Sequence, residues 1–264
     1  MHIVACVKQT PDTAAKVQVV DGHVTWGDSP LVVNPWDEYA VEEALLLREA
    51  HGGEATVISM GPETAKEALK TCLAIGCDKA ILLSDPALKG SDASATAYAL
   101  SQAVRKLDGV GMVLLGRQAV DGDTGLTVTQ LARYLDWTSL TYVIKIVEFD
   151  PEAKTIKVER LLEEGRQVCT ARLPAVVSVV KGINEPRYPS FRGIRKAAKA
   201  TIPVWSVADL ELDTSKVGAE ASAVAWPEIY PLPTRDTSVE IIEGESPAEI
   251  AATLVEKLMA EKVI

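Results

Sequence analysis

"VGMVLLGRQAVDGDTG", residues 110–125, decides how the chain is read. Its opening seven residues are an apolar run of strand length. The remainder holds two aspartates and two glycines, and beyond it Val128, Leu131, Ala132 and Leu135 recur at helical spacing. A strand apolar on both faces, a glycine-rich loop and an amphipathic helix make one unit of a parallel sheet covered on both sides.

The unit repeats upstream. "HIVACVK" (2–8), "EATVISMG" (54–61) and "KAILLSD" (79–85) read as buried strands. Ala65, Ala68, Leu69, Cys72 and Leu73 mark one helix face, and Ala97, Leu100, Val104 and Leu107 mark another. "VQVVDGHVTW" (17–26) predicts a hairpin turning at Asp21-Gly22. "NPWDEYAVEEALLLREAHGG" (34–53) predicts a helix with Asn34 as N-cap, Pro35 at the first helical position and glycines at its end. The expected fold is α/β, a doubly wound and mainly parallel sheet, with any ligand outside the carboxyl ends of its strands.

Downstream the character changes. Residues 139–180 are β-rich without a helical stripe and predict antiparallel strands added at the sheet's edge. Residues 181–202 carry six lysines and arginines and predict an exposed arm leading into a short helix. Residues 213–238 read as an irregular linker. "SPAEIAATLVEKLMAEKVI" (246–264) predicts a terminal helix, with a capping box at Ser246 and Glu249 and a stripe of Ile250, Leu254 and Leu258. The expected domains are 1–212, which includes the added strands and the arm at 183–196, and 213–264, whose helix packs on another chain.

Composition removes several function classes. A net charge of −10 over 264 residues argues against general nucleic-acid binding, which needs a basic face. Cys6, Cys72, Cys77 and Cys169 lack C-x-x-C spacing, and His2, His23 and His51 are scattered. Buried free thiols and no metal site are expected. The start lacks a leader's basic and long apolar regions, and no apolar run approaches the ~18 residues of a membrane span. Cytoplasmic placement is the expectation.

The strand ends carry the candidate chemistry. Gly61, Gly116, Gly122 and Gly125 allow backbone N–H groups to approach a ligand. A helix beginning near Thr124 would offer its positive end to an anion, with the Thr124 and Thr127 hydroxyls as donors. Together these describe a nucleotide-phosphate site, although neither G-x-G-x-x-G nor G-x-x-x-x-G-K-[ST] is present. The competing reading is a plain strand-to-helix turn with Asp123 as N-cap. Asp121 and Asp123 could instead accept hydrogen bonds from a ribose or an adenine amino group.

Other candidates are weaker. Cys6 reads as a core residue rather than a nucleophile, and Glu42-Glu43, Glu148 and Glu163-Glu164 read as solvated faces. Arg187, Arg192, Arg195, Lys196 and Lys199, interleaved with Tyr188 and Phe191, suit docking of an acidic partner in so acidic a chain. No catalytic constellation emerges.

Several motifs converge on one family. "VKQTPD" (7–12), "NPWDEYAVEEAL" (34–45), "SMGP" (59–62), "LLGRQAVDGDT" (114–124), "LDW" (135–137), "VER" (158–160), "LPAVVSV" (173–179) and "NEPRYPSF" (184–191) span nearly the whole chain. The sequence resembles the beta subunit of electron transfer flavoproteins. That resemblance implies an adenine nucleotide alpha hydrolase-like fold and a heterodimer with an alpha subunit that carries FAD. It implies an AMP or a second FAD in this subunit, lined by Cys6, Val7 and Lys8, by Asn34 and Asp37, and by Met60 and Gly61. The loop from Gly116 through Arg117, Gln118, Asp121, Gly122 and Asp123 to Thr124, Gly125 and Thr127 would hold the phosphate. The arm is similar to the family's recognition loop, with Arg187, Tyr188, Phe191 and Ile194 docking an acyl-CoA dehydrogenase and Phe191 standing where leucine is usual.

"DGDT" resembles the electron-bifurcating members, which bind a flavin here. "GLTVTQ" then departs from their usual continuation and puts Val128 where a glycine is common. With FAD, the resemblance implies NADH oxidation by the complex and electron bifurcation between ferredoxin or flavodoxin and the dehydrogenase-type partner. With AMP, it implies a scaffold and docking module for a one-FAD carrier.

Overall fold

The structure is a computed structural model that describes residues 1–231, 233 and 238–264. The first strand, β1 (His2–Cys6), is followed by β2 (Gln9–Pro11), β3 (Gln18–Val20), β4 (His23–Thr25) and β5 (Leu31–Val33). Helix α1 (Pro35–His51) leads to β6 (Glu54–Met60), α2 (Lys66–Ile75), β7 (Lys79–Leu83), α3 (Ala93–Arg105), β8 (Val110–Gly116) and α4 (Thr127–Leu135). Then come β9 (Thr138–Asp150), β10 (Thr155–Leu162), β11 (Gly165–Arg172), β12 (Ala175–Val179), α5 (Phe191–Ala197), β13 (Val204–Trp205) and α6 (Gly218–Ala221). The last helix is α7 (Pro247–Ala260).

Nine strands form one sheet in the order β11-β10-β9-β12-β8-β1-β6-β7-β13. All neighbouring pairs from β9 to β13 are parallel, and only β9-β10 and β10-β11 are antiparallel. Because strand side chains alternate, β1 feeds two cores. Ile3 and Ala5 pack with α1 and α2 through Leu45 and Leu69. Val4 and Cys6 pack with α3 and α4 through Leu100 and Leu131. Each such leucine or isoleucine taken from water contributes about 1.5–3 kcal/mol. The doubly wound reading of the apolar runs holds.

The added strands differ in one respect from the expectation. β9, β10 and β11 make an antiparallel extension, but "AVVSV" is β12, a strand buried at all five positions and inserted in parallel between β8 and β9. Its unbroken apolar run fits only a strand covered on both faces. The Asp21-Gly22 hairpin forms as read: both residues have positive φ, 51° and 72°, which suits a two-residue turn.

The chain divides into two compact units, Met1–Ile229 and Tyr230–Ile264. Within the expected linker, 213–238, α6 forms, and positions 232 and 234–237 lie outside the described residues. In the second unit α7 begins where the capping box was read. The Ser246 hydroxyl accepts from the Glu249 N–H, while the Glu249 carboxylate accepts from the Glu245 N–H rather than from Ser246 itself. Among the described residues, no helix is long and apolar enough to cross a membrane.

The arm returns to the first unit. Asn184 donates to the Tyr39 carbonyl and to Glu43, and Arg187 donates to Glu42 and Glu49, so the arm is tied along α1. Glu42 and Glu43 are therefore 4% and 7% exposed, not the solvated face expected, because their charges are met by Arg187 and Asn184. Glu148 pairs with Lys157 at the surface, and Glu163 and Glu164 sit on an exposed turn. Beyond the tie, α5 lies on α2 so closely that a methyl group at Gly193 would overlap the Ala74 carbonyl. Gly193→Ala should loosen α5 by about 2 kcal/mol, a typical overpacking cost. Hydrogen exchange should quicken over residues 190–198 while the β8 and β12 amides stay protected.

Candidate functional site

The carboxyl ends of β1, β6, β7 and β8 open into a cleft of about 970 Å³. Cys6, Val7 and Lys8 line it from the end of β1, Asn34 and Asp37 from the start of α1, and Met60 and Gly61 from the end of β6. Gly116, Arg117, Gln118, Gly122, Asp123, Thr124, Gly125 and Thr127 line it from the loop after β8. Of the cleft residues expected from the sequence, Asp121 alone turns away from the lining, into an ion pair with Lys8 at 2.7 Å.

Two side chains at the start of α1 set the loop's position. Asp37, the third helical residue, accepts from the Lys8 N–H at 2.8 Å and from the Gly116 N–H at 3.0 Å. Asn34 precedes the helix, but its side chain makes no capping bond. It donates instead to the Gln118 carbonyl at 2.8 Å and accepts from the Val120 N–H at 3.2 Å. Gly116 is required by this approach, since a Cβ there would stand 2.5 Å from the Asp37 carboxylate. Gly125 has φ 62° and is required by the turn. Gly122 meets neither demand: its φ lies outside the left-handed region, and nothing stands within 4 Å of a Cβ built there. Its lack of a side chain leaves room in the cleft.

The loop's two aspartates beside the cleft are both partnered. Asp123 has φ 51° and accepts from the Gln118 amide at 2.7 Å. It is not the N-cap of α4, which begins at Thr127 rather than near Thr124, with Leu126 before it and no side-chain cap. The first amides of α4 therefore remain available beside the loop. Val128 is 2% exposed and packs into the α3-α4 core, while also lining the cleft. The Arg117 guanidinium has no carboxylate within 4.0 Å among the described residues, and its Nε is buried without a hydrogen-bond partner. An orphaned buried donor, unfilled amides and the space at Gly122 fit a phosphate-bearing ligand.

A fourth strand end, that of β7, also lines the cleft and is absent from the expectation drawn from the sequence. Ser84 to Thr96 follow β7, with Asp85 accepting from the Ala87 and Val207 amides and Asp92 from those of Ala95 and Ala223. The signal was present in "KAILLSD", since the rule that selects the other strand ends applies equally to β7.

The buried thiols are inert. Burial, with Asp37 nearby, raises the Cys6 thiol far above its ordinary value, and burial pushes Cys77 up to about 12. All four cysteines are free, and among the described residues no cluster of His, Cys, Asp or Glu could hold a metal ion. Of the arm residues, Arg187 is committed to Glu42 and Glu49, while Tyr188 and Phe191 are 94% and 90% exposed and Ile194 is half-exposed.

The electron transfer flavoprotein domain family matches residues 27–210, which hold most of this α/β fold and the loop after β8. Protein FixA of Azotobacter vinelandii is 37% identical over 99% of this chain and 95% of the relative. The electron transfer flavoprotein subunit beta of Megasphaera elsdenii is 38% identical over the full length of both. Subunit CarD of the caffeyl-CoA reductase-Etf complex of Acetobacterium woodii is also 38% identical over the full length of both. The chain belongs to the electron transfer flavoprotein family, among its beta subunits and FixA proteins.

Asp37 has a pH signature. Burial raises its carboxyl from 3.8 to about 7, and the bonds from the Lys8 and Gly116 amides pull it back only in part. A carboxyl raised on folding contributes stability at low pH that is lost as pH climbs from 3.8 to about 7. Denaturant unfolding across that window should show the wild-type protein losing stability with rising pH relative to Asp37→Asn. Parallel profiles would contradict the assignment.

Proposed function

We propose that this chain is the beta subunit of a heterodimeric electron transfer flavoprotein, that its cleft binds a second FAD, and that the complex carries out NADH-dependent electron bifurcation. Electrons would be divided between ferredoxin or flavodoxin and an acyl-CoA dehydrogenase-type partner. The observation that carries the FAD reading is the extent of the cleft. At about 970 Å³ it reaches from the glycine loop to the loop after β7, at the upper end of the ~300–1,000 Å³ common for ligand sites, which favours the larger of the two nucleotides. Gly122, a glycine that the backbone does not demand, supports the same reading.

In this reading the chain's residues position and polarise. The amides of α4 and the hydroxyls of Thr124 and Thr127 bind phosphate oxygens, Asn34 and Asp37 hold the loop in register, and Met60 and Cys6 exclude water. When bound, the flavin supplies the hydride and electron chemistry. The second unit, with α7, packs on the alpha subunit. The arm presents Tyr188, Phe191 and Ile194 to the dehydrogenase, with Arg187 serving as its tether.

Acid extraction of the purified heterodimer followed by chromatography tests the cofactor. Two FAD per heterodimer are expected; one FAD with one AMP would leave the family intact and remove the bifurcating role. The arm has its own test. Phe191→Ala should weaken electron transfer to the dehydrogenase about tenfold or more, as loss of an exposed aromatic anchor does, with nucleotide content unchanged.

A further inference from the structure

Arg117 is held in an unusual way. Its guanidinium carbon lies 5.7 Å from the centre of the Trp36 ring and 5.1 Å from that of Tyr142, a cation between two aromatic faces. The other partly buried arginines are met by oxygen: Arg48 by Asp78, Arg160 by Thr141, Arg187 by Glu42 and Glu49. Aromatic faces fix a guanidinium without using its N–H donors or cancelling its charge.

The placement of Tyr142 is a local distortion. Its φ is 59°, a region that bulky side chains rarely enter. Between Leu140 and Val143 two residues of β9 face the single Ser178 of β12, so Thr141 and Tyr142 form a β-bulge. The bulge is braced on both sides. The Tyr142 N–H donates to the Ser178 hydroxyl at 3.2 Å, and Arg160 donates to the Thr141 carbonyl and hydroxyl at 2.7 and 2.9 Å. Strain so over-determined belongs where it serves a site. Here it turns the ring onto Arg117 at the cleft wall.

We propose that Trp36 and the Tyr142 bulge are positioning residues that hold the Arg117 guanidinium uncancelled in the cleft, where it selects ligands bearing an anionic phosphate. The inference rests on the nucleotide reading above. Of the other cations lining the cleft, Lys8 is paired with Asp121 and Lys89 is exposed on the loop after β7, whereas Arg117 is partly buried with its Nε unpartnered.

The test compares AMP with adenosine, by equilibrium dialysis against heterodimer freed of releasable nucleotide. Arg117→Met should weaken AMP about ten- to hundredfold, the worth of a bond to a charged group, and leave adenosine within about twofold. Tyr142→Leu should narrow the AMP preference in the same direction, and Tyr142→Phe, which keeps the ring, should restore it. Adenosine binding in each variant reports an intact fold, which a merely structural role for Tyr142 would not spare. An unchanged AMP-to-adenosine ratio in Arg117→Met or Tyr142→Leu, or an equal loss of both ligands, overturns the assignment while leaving the nucleotide reading standing. Wild-type protein that binds neither probe overturns both.

Discussion

The carboxylate of Asp37 is the contact on which the cleft depends. One oxygen takes the amide that follows β1 and the other takes the amide that closes β8, so two adjacent strand ends and the first turn of α1 share one side chain. A buried carboxylate is costly unless its lone pairs are filled, and here two backbone N–H donors offset part of that cost. Only glycine at 116 allows the approach. Asn34 extends the clamp to Gln118 and Val120, so a loop that would otherwise wander is held by three successive ties to α1.

The same helix carries the arm. Asp37 stands in its first turn and Glu49 in its last, about 18 Å apart by helical rise, and Glu42, Glu43 and Glu49 hold Arg187 and Asn184 along that length. The cleft and the arm are thus built on opposite stretches of one rigid element. Burial and mutual repulsion with Glu42 raise the Glu43 carboxyl, opposed by Asn184, whereas the bond from Arg187 lowers Glu49. Asn184 and Arg187 are what make those acids tolerable on a helix face covered by protein.

Net charge is a poor guide to such a site. The chain is strongly acidic, yet the aspartates around the cleft are consumed by backbone amides, by Gln118 and by Lys8, while Arg117 rests between aromatic rings. What a ligand meets is set by which donors and acceptors remain unspent, and among those are the amides of α4, the Thr124 and Thr127 hydroxyls and a guanidinium.

Much of this was legible in one dimension. Apolar runs alternating with helical stripes determined the doubly wound sheet, and glycines after strands marked the loops, because burial on two faces and close backbone approach leave direct traces in residue type. Motif resemblance located the cleft residues, but it did not say what each one does. Asn34 was read as a cap and Glu42 and Glu43 as a solvated face, since local rules see neighbours in sequence, and the partners of these residues lie 84 to 145 positions away. β12 entered the parallel core, and Tyr142 took a left-handed conformation, for reasons that exist only once β8, β9 and β12 lie side by side. Sequence by itself determined which surfaces had to be buried; the tertiary structure decided which buried charges were paired and that Arg117 met aromatic rings instead of a carboxylate, because pairing is a matter of distance across the fold.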